Sequence, residues 1–283
     1  MNILITGADG QLGFEVIRRL KLEDESLNIT ATDVNSLDIC NIEEVEKALK
    51  GIDVVINCAA FTNVDLCESE IEAAYKINCD GVKNLADVCN KENAVLIHIS
   101  TDYVFDGNKT TPYTEEDKVN PVTVYGKSKL AGEREAEKCR KHFILRTSWL
   151  YGENGKNFVK TMISLSKTKE FLKVVDDQTG TPTSAFDLAK VIYLFINCND
   201  YGIYHCTGNG QAVSWYEFTK EIFRIKGIAT PVYPCSSEEF NAKAPRPHYS
   251  VLENRKLQNI GKDIMRDWKI ALNEFLTERN EIL

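Results

Sequence analysis

The sequence predicts an α/β fold: a doubly wound parallel sheet with helices on both faces, joined to a smaller C-terminal lobe. Three observations carry this. Short apolar runs alternate with stretches of helical period from Asn2 to about Asn197, the order that builds a parallel sheet. The first run ends in Gly7-Ala8-Asp9-Gly10-Gln11-Leu12-Gly13, with glycines at three-residue spacing before a helical pattern. After about Gly202 the alternation loosens.

In chain order, Asn2–Thr6 reads as a strand and Gln11–Leu22 as the helix behind the glycine turn. Asn28–Thr32 is the second strand and ends at Asp33; Ile42–Leu49 is a short helix; Asp53–Cys58 is a buried strand. Glu68–Lys91 reads as one long helical stretch, followed by the strand Ala94–Ser100. Asp106-Gly107-Asn108 is a turn and Thr114–Asp117 a solvated loop. Val122–Cys139 is a helix, Phe143–Thr147 and Leu172–Val175 are strands, and Phe186–Asn197 is helical. In the last part Ser214–Arg224 is a helix, while Val232–Cys235 and Ala244–Pro247 read as loops. Residues 1–149 and 171–204 then form an NAD(P)-binding domain of Rossmann type, and 150–170 with 205–283 a substrate-binding lobe.

A chain of 283 residues buries a substantial core, and 43% hydrophobic with 27% charged residues is ordinary for a globular protein. The net charge of −8 argues against nucleic acid or an anionic membrane as the main partner. Nine cysteines, without a C-x-x-C pair or metal-ligand spacing, read as reduced residues in a cytoplasmic protein, with no metal site. No signal-peptide pattern opens the chain, and its longest apolar run is too short to span a bilayer.

Glycine at 7, 10 and 13 lets the turn approach a pyrophosphate and pack the helix tightly on the strand. The helix N-terminus offers N–H groups and a positive dipole to phosphate. Asp33, some twenty residues on, is placed to accept from an adenosine ribose, so NADH is accepted; as a plain surface residue it caps a turn. Asp38 and Ile39 flank the adenine, with Asp38 equally readable as a helix cap.

Tyr-x-x-x-Lys occurs twice, at Tyr125/Lys129 and Tyr216/Lys220, and on a helix both pairs share a face. Only the first follows a strand-end hydroxyl, Thr101, at the sheet edge where α/β proteins bind ligands. Reducing a ketone needs a hydride and a proton. A phenol of pKa ~10 becomes useful near a cation such as Lys129, and Thr101 steadies the oxygen where charge builds. Tyr216 reads as core packing.

These residues carry a resemblance over essentially the full length. The glycine turn, Asn57–Asp65, Ser100–Gly107, Val124–Glu133, Leu145–Gly152 and Asp177–Thr183 resemble the extended short-chain dehydrogenase/reductases, and among them the dTDP-4-dehydrorhamnose reductases. The resemblance implies NADPH- or NADH-dependent reduction of dTDP-4-dehydro-L-rhamnose to dTDP-L-rhamnose. It implies Tyr125 as proton donor with Thr101 and Lys129, and cofactor contacts from Gly10, Gln11, Leu12, Asp33, Asp38, Ile39, Ala60, Phe61 and Thr62. It implies substrate contacts from Thr101, Asp102 and Trp149, joined by Tyr103 and Val64. Without it, Trp149 is a core aromatic and Asp102 a turn cap.

Phe61 stands where many relatives carry histidine, a change of little effect if backbone contacts suffice there. Some relatives dimerise through acidic residues sharing magnesium; Glu15 matches one, but no matching set is placed here, so Glu15 reads as a solvated helix residue and a homodimer stays open. Arg246, between two prolines, is a clamp for a sugar-nucleotide diphosphate or a solvent-facing loop residue. Two alternatives remain: a different nucleotide-sugar 4-ketoreductase or epimerase of the same fold, and a non-catalytic subunit similar to the beta subunit of methionine adenosyltransferase.

Overall fold

The computed structural model describes residues 1–278. β1 (Asn2–Thr6) passes through the glycine turn into α1 (Gln11–Glu23), and β2 (Asn28–Thr32), α2 (Ile42–Ala48) and β3 (Val54–Asn57) follow. α3 (Val64–Cys67), α4 (Ile71–Tyr75), a π-helical turn at Lys76–Asp80 and α5 (Gly81–Glu92) lead to β4 (Val95–Thr101). A 3₁₀ turn at Asp102–Val104 and a loop precede α6 (Val124–Ala136) and β5 (His142–Thr147). With the strand Gly202–His205 beyond β5, the six lie in the order β2-β1-β3-β4-β5-Gly202–His205, every pairing parallel.

A parallel sheet is covered on both faces, which is why its strands are near-continuous apolar runs. On one face Leu12, Val16 and Leu20 of α1 pack with Leu188, Ile192 and Phe195 of the helix Ala185–Phe195. On the other, Val45, Val82, Leu85 and Ala136 bring in α2, α5 and α6. The chain steps outward from β1 to β2, then crosses back to β3 on the other side. That reversal opens a crevice at the carboxyl ends of β1 and β3.

A separate cluster, including Tyr151, Val159, Phe218, Ile222, Trp268 and Leu272, forms the core of a smaller lobe. Its helices are Phe158–Ser166, Trp215–Lys226 and Trp268–Thr277. The middle one opens with a Ser214/Glu217 capping box and ends at Gly227 in the left-handed region.

The structure departs from the sequence reading in five places. Thr114–Asp117 is not a solvated loop throughout, because Thr114 and Glu115 are buried and Glu115 accepts from His205 N and Lys256 N, both at 3.1 Å. Val232–Cys235 is a strand, not a loop; it pairs with Leu172–Val175 in a two-stranded sheet, where Pro234 sits on an edge that tolerates a missing N–H. Leu172–Val175 accordingly contributes Leu172 and Val174 to the small-lobe cluster rather than joining the six-stranded sheet. Glu68–Lys91 is not one helix, because Ser69 and Glu70 interrupt it and the π turn follows α4. Glu15 is only 2% exposed, since it shares the inward side of α1 with Leu12 and Val16.

All nine cysteines are free thiols. Among the described residues no helix is long and apolar enough to cross a membrane, and no group of three or more His, Cys, Asp or Glu is placed to hold a metal ion.

Candidate active site

The glycine turn is tight enough to demand glycine. Gly7 has φ +65°, and a Cβ there would lie 2.6 Å from Ala59 N; one at Gly13 would lie 2.8 Å from Ala8 Cα. The turn thus brings the ends of β1 and β3 and the start of α1 into backbone contact. It opens onto one cavity of about 1090 Å³, whose walls include Gly7, Gly10, Gln11, Leu12 and Gly13. Asp33, Asp38 and Ile39 also line it, with Ala60, Thr62 and Val64, and so do Thr101, Asp102, Tyr103, Tyr125, Lys129 and Trp149. Of the residues expected to touch cofactor or substrate, Phe61 and Arg246 are not in this wall.

Both oxygens of Asp33 bond to turn amides, Oδ2 accepting from Asp9 N at 3.0 Å and Oδ1 from Val34 N at 2.8 Å. Asp38 accepts from Cys40 N, while the cap of α2 is Asn41. Phe61 has both backbone polar groups bound by Asn78, which accepts from Phe61 N at 2.8 Å and donates to Phe61 O at 3.1 Å. Asn78 lies in the π turn, and it also donates to Ser128 on α6.

α6 brings the phenol and amine to the cavity. Thr123 caps it, accepting from Gly126 N at 2.9 Å, and Gly126 lets the helix lie against Tyr103, whose carbonyl carbon would be 3.0 Å from a Cβ. Glu133, two turns on from Tyr125, takes Arg146 of β5 bidentately at 2.8 and 2.7 Å and Ser100 of β4 at 2.5 Å, all in the interior. Helix and sheet edge are therefore held in fixed register.

At that edge Thr101 donates to Asp102 Oδ1 at 2.9 Å. Burial pushes the Tyr125 phenol up, Asp102 and Cys67 also oppose its ionisation, and the Thr101 hydroxyl draws it down when its one proton turns from Asp102 to the phenol oxygen. The Tyr103 ring meets that of Tyr125 edge-on, centroids 5.3 Å apart. Burial also raises Asp102 to about 6, against the Thr101 and Ser250 hydroxyls. Lys129 is 2% exposed and donates to Ile99 O at 2.7 Å; burial draws it down to about 8 against the opposing charge of Glu133. Thr101 and Tyr125 are thus together, and Lys129 is tied to β4 one helical turn on.

Trp149 has φ +49°, a region that bulky residues enter rarely, and its indole stacks on Trp215 at 3.4 Å between centroids. Gly180 lies under the same ring, where a Cβ would come 2.7 Å from Trp149 Cζ2. Asp102, Tyr103, Trp149 and Trp215 line a second space of about 190 Å³ with Gln178, Pro247 and Ser250. Arg246 is no solvent-facing loop residue: it is half-buried and pairs with Asp65 at 2.9 Å, its Nη1 buried without a partner. Tyr216 and Lys220 lie outside the large cavity, the ammonium 5.2 Å from the ring it covers, with Tyr216 packed on the small-lobe cluster. Asn57, Asn78, His98 and Trp215 were not singled out in the sequence, because only the register of neighbouring strands and helices gives them meaning.

The family model described as "RmlD substrate binding domain" matches residues 1–281. The spore coat polysaccharide biosynthesis protein SpsK of Bacillus subtilis is 43% identical over 283 residues, covering 99% of this chain and 98% of its own. Among solved structures, the dTDP-4-dehydrorhamnose reductase of Clostridium acetobutylicum is 51% identical with a TM-score of 0.94, over 98% of both chains. That of Bacillus anthracis, in complex with NADP, is 42% identical with a TM-score of 0.93, over 97% of this chain and 98% of its own. The chain belongs to the RmlD substrate-binding-domain family of dTDP-4-dehydrorhamnose reductases.

Proposed function

We propose that this chain reduces the C4 ketone of dTDP-4-dehydro-L-rhamnose to dTDP-L-rhamnose with NADPH or NADH. One observation carries the reading: a single cavity joins the glycine turn to the Thr101–Tyr125 pair. The residues fit a dinucleotide. The turn approaches closely enough that side chains at 7 and 13 are excluded, and Gln11 Oε1 is buried there without a partner. Gly10, Gln11, Leu12 and Gly13 would hold the diphosphate, Asp33 the adenosine ribose, and Asp38 and Ile39 the adenine side. Ala60 and Thr62 would meet the rest, while Phe61, outside the cavity wall and with its backbone held by Asn78, is left without that contact. The carboxylate of Asp33 suits a free 2′-hydroxyl and so NADH, while the Bacillus anthracis relative was solved with NADP.

The bound dinucleotide supplies the hydride. The protein's share is to hold the ketone and give the proton. Tyr125 Oη passes its proton to the carbonyl oxygen, a contribution of roughly 10²–10⁴-fold for a positioned acid. Thr101, already bonded to Asp102, turns its hydroxyl on that oxygen as charge develops. Asp102, Tyr103, Val64 and Trp149 would seat the sugar nucleotide. Arg246 would serve its diphosphate on exchanging Asp65 for phosphate.

Tyr125→Phe tests this. Turnover of the keto-sugar is expected to fall by about 100-fold or more while the dinucleotide still binds, because only the acid is gone. Turnover near the parent rate would remove Tyr125 from the reaction.

A further inference from the structure

Beneath Lys129 three neighbouring strands are joined by a buried chain of polar groups, where Asn57 of β3 registers with Thr6 of β1 and His98 of β4. Thr6 Oγ1 donates to Asn57 Oδ1 at 2.7 Å, and Ala59 N donates to the same oxygen at 3.2 Å. With its oxygen taken by two donors, Asn57 turns its NH₂ toward His98 Nδ1, 3.0 Å away. That nitrogen must accept. His98 and Asn57 are both 0% exposed, and burial beside Lys129 keeps the imidazole neutral, so its one proton sits on Nε2. Nε2 lies 3.5 Å from Lys129 Nζ. An ammonium has no lone pair to receive this N–H; an amine has one.

We propose that His98 is a positioning residue for Lys129: locked by Asn57 with its proton on Nε2, it turns an N–H toward the lysine and works against the ammonium form. The proposal rests on the reading of Lys129 as part of the reacting site. The other groups facing Lys129 do not supply this bias. Glu133 favours the ammonium, although Arg146 and Ser100 already occupy it. Cys58, pushed up to about 12 by burial, is a neutral thiol, and burial keeps the Tyr125 phenol neutral too. Ile99 O accepts from the lysine in either form. Burial is the larger cause of the lowered lysine, drawing it to about 8, and the His98 N–H acts in the same direction.

Nuclear magnetic resonance on the full chain tests this without turnover. In ¹⁵N-histidine spectra, His98, assigned by its loss in His98→Asn, is expected to show a proton-bearing Nε2 and a bare Nδ1. The Lys129 ¹³Cε signal, assigned by its loss in Lys129→Arg, is expected to titrate near pH 8. In Asn57→Asp a carboxylate oxygen replaces the NH₂ and draws the imidazole proton to Nδ1; the lysine midpoint should rise. A proton on Nδ1 in the parent, a lysine midpoint in the ordinary range, or one unmoved in a folded Asn57→Asp overturns the proposal. If that variant does not fold, the two measurements on the parent decide. Lys129→Met separates the premises: parent-like turnover removes Lys129 from the reacting site, whereas lost turnover with a failed titration refutes only the role of His98.

Discussion

Tyr125 is a phenol that burial makes a weak acid, held by a threonine that offsets part of the penalty. Asp102 shows the same cost in a form that stability measures. Its carboxyl is raised to about 6 in the folded chain against about 3.9 unfolded, worth on the order of 2–3 kcal/mol. Because the folded value is the higher one, this stability is full below the unfolded value and is lost as pH rises through 6. Asp102→Asn should therefore exceed the parent in stability by roughly that amount at pH ~8 and lose the advantage near pH ~4. Urea denaturation at the two pH values checks it; an equal gap at both removes the burial argument. At this scale local motifs in the sequence led to Tyr125, Lys129 and Thr101, which line one cavity. The sequence was silent on Asn57, His98 and Asn78, because a buried amide or imidazole is spelled like a surface one until a facing strand supplies its partner.

α6 is fixed by the interior Glu133–Arg146 pair, and such pairs matter most when half of one is removed. Arg146→Met leaves Glu133 buried with Ser100 alone and should cost about 3–5 kcal/mol. Arg146→Met with Glu133→Leu should recover much of it, since apolar replacement of both partners is often neutral. Denaturant titration of the three variants decides; a single variant as stable as the parent would show that the pair does not hold the helix. Gly13→Ala is expected to destabilise the turn and weaken dinucleotide binding together, because a Cβ there meets Ala8 Cα at 2.8 Å. Calorimetric titration with NADPH checks it, and unchanged affinity would refute the close-approach argument. The strands and helices around the turn were legible because apolar period and glycine spacing agree. The strand Val232–Cys235 was not, since Pro234 reads as a breaker until its edge position is known. The break in Glu68–Lys91 was equally hidden, because a π turn keeps helical composition.

Across the whole molecule, two lobes meet where the left-handed Trp149 stacks on Trp215, and the large cavity runs from there to the glycine turn. The C-terminal lobe was the least legible part: its core is assembled from segments as distant as Tyr151 and Trp268, a pairing that local period does not encode. A dinucleotide that binds only the folded chain should raise its stability by about 2.7 kcal/mol at roughly 100 times its Kd, read as a shift in thermal melting with NADPH. The most direct test follows one deuterium. Given nicotinamide deuterated on the transferred position and enzymatically prepared dTDP-4-dehydro-L-rhamnose, the chain should consume one reduced dinucleotide per sugar and place the label on C4 of dTDP-L-rhamnose. Sugar conversion without net loss of reduced dinucleotide, or no conversion in the presence of both, would contradict the joining of turn and Tyr125 into one reductive site.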